Sequence, residues 1–192
     1  DRNAIGPNDA RGLGAGYPFL LAAGLGDRHP DRDWQVYNRG VSGNTVLDLR
    51  GRWDSDTIAL HPDVLSILIG VNDYWHTRTG AYQGTAESYE SGYTALMAKT
   101  RDALPNTKLV VMEPFVLVEG AVSQEWFPEF DHYRAAAARV AKGAAATFVP
   151  LHEMFQSLAA KSGAAHWLVD GVHPTLAGHD AIARQWLDTV AF

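Results

Sequence analysis

The sequence predicts an α/β protein: a three-layer α/β/α sandwich around a parallel sheet of about five strands. Three observations predict it. Short apolar runs alternate with longer amphipathic stretches of helical period. Two of the runs, "PDVLSILIG" (62–70) and "KLVVMEPF" (108–115), are apolar almost without a break, as strands covered on both faces are. The 192 residues, 46% hydrophobic and 20% charged, suffice for one domain with a sizeable core. A single domain over 1–192 is expected, since no repeat, low-complexity tract or linker interrupts the chain.

The elements follow in order. "GYPFLLAAGLGD" (16–27) predicts a helix opened by Pro18, with Gly26 near its end. "WQVYNRG" (34–40) predicts a short strand. Residues 44–60 predict a helix with Val46, Leu47, Leu49, Trp53 and Ile58 as core candidates. The run 62–70 is the next strand, and "GVND" (70–73) reads as its terminating turn, because Asn and Asp favour turns. Residues 85–104 predict a long amphipathic helix, 108–115 a buried strand, 128–143 a helix closed by Gly143, and "ATFVP" (146–150) a short strand. Two helices, 152–163 and 174–190, complete the chain. In such sheets the working residues lie beyond the carboxyl ends of the strands. That directs attention to "NRGVSGNT", "GVNDYWH", "EPFVLVEG" and "DGVHPT".

Composition excludes several classes. The formal charge is −6, which argues against a nucleic-acid surface, because phosphate binding needs a positive stripe. There is no cysteine, so disulfides and thiolate metal sites are excluded. No metal site or cofactor is expected: no H-E-x-x-H occurs, and His179 follows His173 by six residues rather than at helical ligand spacing. No phosphate-cradling glycine loop follows a strand, which discounts a nucleotide binder. No apolar run approaches the ~20 residues of a membrane span. A cytoplasmic location is the default expectation, although a removed signal peptide would leave no trace. An exposed aromatic patch would permit self-association.

"LVDGVHPTLAGHD" (168–180) holds an aspartate three residues before a histidine. A serine hydrolase needs an imidazole to take the nucleophile's proton and a carboxylate to fix its tautomer. Three residues let Asp170 and His173 emerge from one loop, while Pro174 suits a first helical position. The same residues also suit a plain turn and a helix cap. Asn72, at a strand end, can donate an amide N–H to a developing oxyanion, and the Gly40 N–H can approach the same anion without a Cβ in the way. Ser42 lies in "GVSGN", which lacks the G-x-S-x-G spacing of a nucleophile elbow, and is read as serving a helix start.

Together, Gly40, then Gly70-Val71-Asn72-Asp73, then Asp170-Gly171-Val172-His173-Pro174 resemble the SGNH, or GDSL, hydrolases. The resemblance spans the chain in the family's order. It implies a flavodoxin-like sheet, Gly40 and Asn72 as oxyanion donors, and Asp170 with His173 as orienter and base. "NRGVSGNTVLDLRGRW", "IGVNDYW" and "VHPTLAGH" look like bacterial members that deacetylate xylo-oligosaccharides. The implied function is a serine esterase acting on short acyl esters of sugars through an acyl-enzyme, with a small ester or acetylated oligosaccharide as partner. A non-catalytic ester- or carbohydrate-binding relative and a GDSL-type lipase are the alternatives. The family's G-D-S block does not occur here. The nucleophile, and the first strand that carries it, are therefore expected upstream of Asp1. Tyr74, Trp75, Trp167 and Arg2 are the candidate substrate contacts, with Phe115, Trp126 and Phe127 as further aromatic neighbours of the rim.

Overall fold

Alternation along three short strands decides the architecture. The computed structural model describes residues 8–192. Strands β1 (Val64–Leu68), β2 (Lys108–Met112) and β3 (Thr147–Val149) form one parallel sheet in the order β1-β2-β3. Successive strand side chains point to opposite faces. Leu109 and Val111 therefore enter one apolar cluster with Ile67, while Val110, Met112 and Val149 enter another. All five β2 and β3 residues just named are buried to within about 1% of their surface.

Helices cover both faces. α3 (Val46–Asp56), α4 (Val71–Thr79), α5 (Ala86–Ala103) and α6 (Glu129–Gly143) close the first cluster. α2 (Tyr17–Arg28), α7 (His152–Ser162) and α8 (Leu176–Thr189) close the second, and a short α1 (Ala10–Leu13) precedes them. The result is the α/β/α sandwich that the sequence predicts. Local chemistry fixes the helix starts. Thr45 accepts from Asp48 N–H and the Asp48 carboxylate accepts from Thr45 N–H, a reciprocal capping box that opens α3. Thr85 and Ser88 do the same for α5, and Thr175 caps α8.

Three sequence expectations change. Residues 34–40 are not a strand: among the described residues Val36 pairs its backbone with Asn8, and β1 has β2 as its sole strand partner. The described sheet accordingly has three of the four strands read from these residues. Leu47 is 56% exposed, because α3 turns Val46 and Trp53 inward instead. "VNDYWHTRT" is the helix α4, not a turn. Gly70 is its N-cap, and Asp73 in its first turn suits the positive end of the helix dipole.

Candidate functional site

A cavity of about 520 Å³ opens beyond the carboxyl end of β1. α4 supplies one wall. Asn72, Trp75, His76 and Thr79 are spaced i, i+3, i+4, i+7, share one helical face, and all line it. The loop before α3 supplies Ser42, Gly43 and Asn44, and the loop before α8 supplies His173. Ile69, Phe115, Val172 and Ile182 form an apolar floor.

His173 and Asp170 are bonded to each other, Nδ1 to Oδ2 at 2.8 Å. The other carboxylate oxygen accepts from the backbone N–H groups of Val172 at 3.0 Å and His173 at 2.9 Å. Partial burial pushes the Asp170 pKa up, but these hydrogen bonds outweigh it, and the net direction is down. An ionised carboxylate at Nδ1 holds the neutral ring's proton there and leaves Nε2 as the basic atom. The turn carrying the pair is braced from behind. Gly171 has φ +87, and a Cβ there would meet the Leu117 and Glu119 carbonyl oxygens at 2.4 and 2.5 Å. Leu117 N–H donates to Gly171 O, and Ala121 N–H donates to Asp170 O. Only glycine allows this approach.

The anion-binding side differs in detail from the sequence expectation. Gly40 does not line the cavity. Its N–H donates to the Asn38 side chain at 2.9 Å, a local turn that takes the donor away from any ligand. Gly43, three residues on, does line it, with φ +79. Ser42 lines it too and does not cap α3, a task that Thr45 performs. Asn72 donates one amide hydrogen to Asn44 O at 3.2 Å, and its second N–H has no partner among the described residues. Arg52 braces the same loop through Asn44 Oδ1 at 2.8 Å and Arg39 O at 2.7 Å.

The aromatic candidates separate. Trp75 borders the cavity, its ring centroid 6.1 Å from that of His173. Tyr74 does not. It is 6% exposed, donates its hydroxyl to Trp126 O at 3.1 Å and packs on Trp126, Phe130 and Tyr133. A helix rotates neighbours by about 100°, so one of the pair faces the cavity and the other the core. Trp167 also lies outside the cavity: its indole donates to Ser162 Oγ at 2.8 Å and its ring meets His166. Phe115 lines the floor, while Trp126 is core. Arg2 lies outside the described residues.

Two further imidazoles line the cavity that sequence reasoning missed. His76 follows Asn72 at i+4, a signal visible only once α4 is a helix. His179 accepts from Tyr17 N–H at its Nδ1 at 3.2 Å, and burial lowers its pKa. Among the described residues no group of three or more His, Asp or Glu side chains converges as a metal site. No helix among them is long and apolar enough to cross a membrane.

Comparison with known proteins gives concordant results. The model of the GDSL-like lipase/acylhydrolase family matches residues 3–181. An acetylxylan esterase of Geobacillus stearothermophilus is 32% identical over 182 residues, spanning 94% of this chain and 83% of the relative. A crystal structure from Parabacteroides merdae ATCC 43184, described as a GDSL-like lipase, superposes with a TM-score of 0.95 at 42% identity, over 98% of this chain and 88% of that one. The acetylxylan esterase Axe2 of Geobacillus stearothermophilus superposes at 0.88 with 29% identity, over 100% of this chain and 88% of that one. Catalytic mutants of Axe2 replace a serine, an aspartate and a histidine three residues after that aspartate.

Proposed function

Because the chain belongs to the GDSL-like lipase/acylhydrolase family and is a carboxylic ester hydrolase, we propose that it cleaves short acyl esters, acetyl above all, from sugars through an acyl-enzyme. The observation that carries this reading is the bonded Asp170–His173 pair sharing one cavity with Asn72. The three residues together occupy one domain, which we take to be the whole of 1–192.

In the proposed mechanism a serine hydroxyl attacks the acyl carbon, and its proton passes to Nε2 of His173. Asp170 holds the ring and stabilises the imidazolium. Negative charge moves to the former carbonyl oxygen, where the Gly43 N–H and the free Asn72 N–H stabilise it. Such a donor is worth about 3–4 kcal/mol in the transition state. The tetrahedral adduct then expels the alcohol, which takes the proton from His173. Water repeats the sequence on the acyl-enzyme and releases the acid.

The nucleophile in this reading is a serine outside these 192 residues. Among the described residues Ser42 is the one serine lining the cavity, and it sits beside the proposed donor Gly43. The spacing of Asp170 and His173 equals that of the two residues mutated in Axe2, which supports the assignment of base and orienter. The volume and apolar floor suit a short acyl group, and the Trp75 ring suits a sugar face.

The test uses the full-length protein with p-nitrophenyl acetate and with acetylated xylo-oligosaccharides. His173→Ala should lower kcat/KM by at least about 1000-fold on both. Labelling with a fluorophosphonate, followed by peptide mass spectrometry, should modify one serine that is not Ser42. Ser42→Ala should lose at most about tenfold in rate, since it removes no proposed reacting group. A label on Ser42, or a His173→Ala variant of undiminished rate, contradicts the mechanism. A preference for long-chain over acetyl esters contradicts the substrate.

A further inference from the structure

We propose that Asp73 is a positioning residue that sets the gap between the two oxyanion donors, an inference resting on the assignment of those donors to Gly43 and Asn72. Three observations carry it. The first is burial: Asp73 is 1% exposed although it follows the cavity residue Asn72 directly. The second is its partner. Oδ1 accepts at 3.0 Å from the N–H of Val46, the first residue of α3. That N–H is one of the helix-start donors without an intrahelical acceptor. The third is its other oxygen, Oδ2, which is buried and has no partner among the described residues. A carboxylate half satisfied in a core is costly, and packing alone gives no reason to retain it.

The geometry supplies a reason. Two consecutive residues of α4 grip the two ends of one short loop. Asn72 holds Asn44 through its carbonyl, and Asp73 holds Val46 through its N–H. Gly43 lies immediately before the first grip, with φ +79 and no atom within 4 Å of where a Cβ would stand. Among the described residues no hydrogen bond holds the Gly43 N–H, so the loop's attachment to α4 sets its place. The same amide that grips Asn44 carries the second donor. The Asp73–Val46 bond thus holds α3 and its preceding loop in register with the helix that presents Asn72. Loss of that bond lets the donors drift, and a displacement of ~1 Å at a reacting centre can cost about 100-fold. Substrate binding in the ground state depends on the cavity walls instead and is spared.

The experiment is steady-state kinetics on the full-length enzyme with p-nitrophenyl acetate, alongside inhibition by phenylboronic acid. The boronic acid forms a tetrahedral anion on a serine hydroxyl and so reports on the oxyanion site. Asp73→Ala should lower kcat about 10- to 100-fold with KM within about threefold, and should weaken the boronic acid in proportion. Asp73→Asn keeps an acceptor for Val46 and should recover most of the lost kcat. If Asp73→Ala does not fold, Val46→Pro deletes the same bond from the donor side, at a first helical position that accepts proline, and should show the same pattern. Undiminished kcat in Asp73→Ala or in its proline substitute, a loss confined to KM, or unchanged boronic acid affinity would overturn the proposal. So would an Asn variant as impaired as Ala. Asn72→Ala at wild-type kcat would instead refute the donor assignment beneath it, which keeps the two failures apart.

Discussion

Burial raises the pKa of Asp73 from 3.8 to about 6, against the smaller opposing effect of the Val46 N–H. The sign of the consequence follows from proton counting. Below about pH 4 both the folded and unfolded chains hold the proton, whereas between about 4 and 6 the folded chain alone does. At neutral pH the ionised group therefore destabilises the fold by on the order of 3 kcal/mol, and this penalty is relieved as pH falls through 6. Asp73→Asn should raise Tm at pH 7.5, and the gain should shrink toward zero near pH 4. Thermal unfolding of both proteins at the two pH values checks this, and a variant less stable at pH 7.5 refutes it. A residue that weakens the fold beside the proposed anion site is what a positioning role would leave behind.

At the scale of elements, Glu113 is the junction between β2, α6 and α7. It follows the last residue of β2 and is 6% exposed. One oxygen pairs with Arg134 of α6, with both nitrogens at 2.9 Å. The other accepts from the N–H groups of Leu151 and His152, both at 2.9 Å, and so caps α7. Glu113 does not reach the cavity, although the rim segment "EPFVLVEG" invited a site role. Glu113→Ala removes one partner of a largely buried ion pair and orphans two helix-start donors, so a loss of about 3–5 kcal/mol is expected. Urea unfolding measures it; a loss below about 1 kcal/mol would show that the junction is dispensable. The helix α4 shows the opposite balance. Its sequence is short and rich in turn formers, and its helical state comes from docking Tyr74 against α6. Reading it as a turn hid both His76 and the phase that separates Trp75 from Tyr74.

For the whole molecule, two apolar clusters lie on opposite faces of one thin sheet, and polar ties join elements both across layers and within one. Trp186 of α8 donates to Ser66 of β1 at 2.7 Å, and Trp53 of α3 donates to Thr100 of α5 at 2.9 Å. Because β1 and β2 contribute to both clusters, neither face can lose its packing alone. We propose that the chain unfolds as one cooperative domain. Tryptophan fluorescence and far-ultraviolet circular dichroism should give coincident thermal transitions. Two separated transitions would divide the chain into independent units.

Sequence alone determined what local spacing and apolar pattern control. It established the α/β class, because buried parallel strands need continuous apolar runs and their helices need one apolar stripe. It made the closeness of Asp170 and His173 legible, because three residues of one loop keep both side chains within bonding reach, while family likeness supplied their expected roles. Asn72 and Trp75 were legible as rim residues from their place beyond a strand end, and family likeness joined them to that pair. Tertiary structure decided the rest. Which glycine meets the cavity, Gly43 or Gly40, depends on where a turn spends its N–H groups. Which of Tyr74 and Trp75 faces the cavity depends on a helical phase set by packing from α6. The grip of Asp73 on Val46 joins residues 27 positions apart, and no periodicity in one segment encodes the position of another.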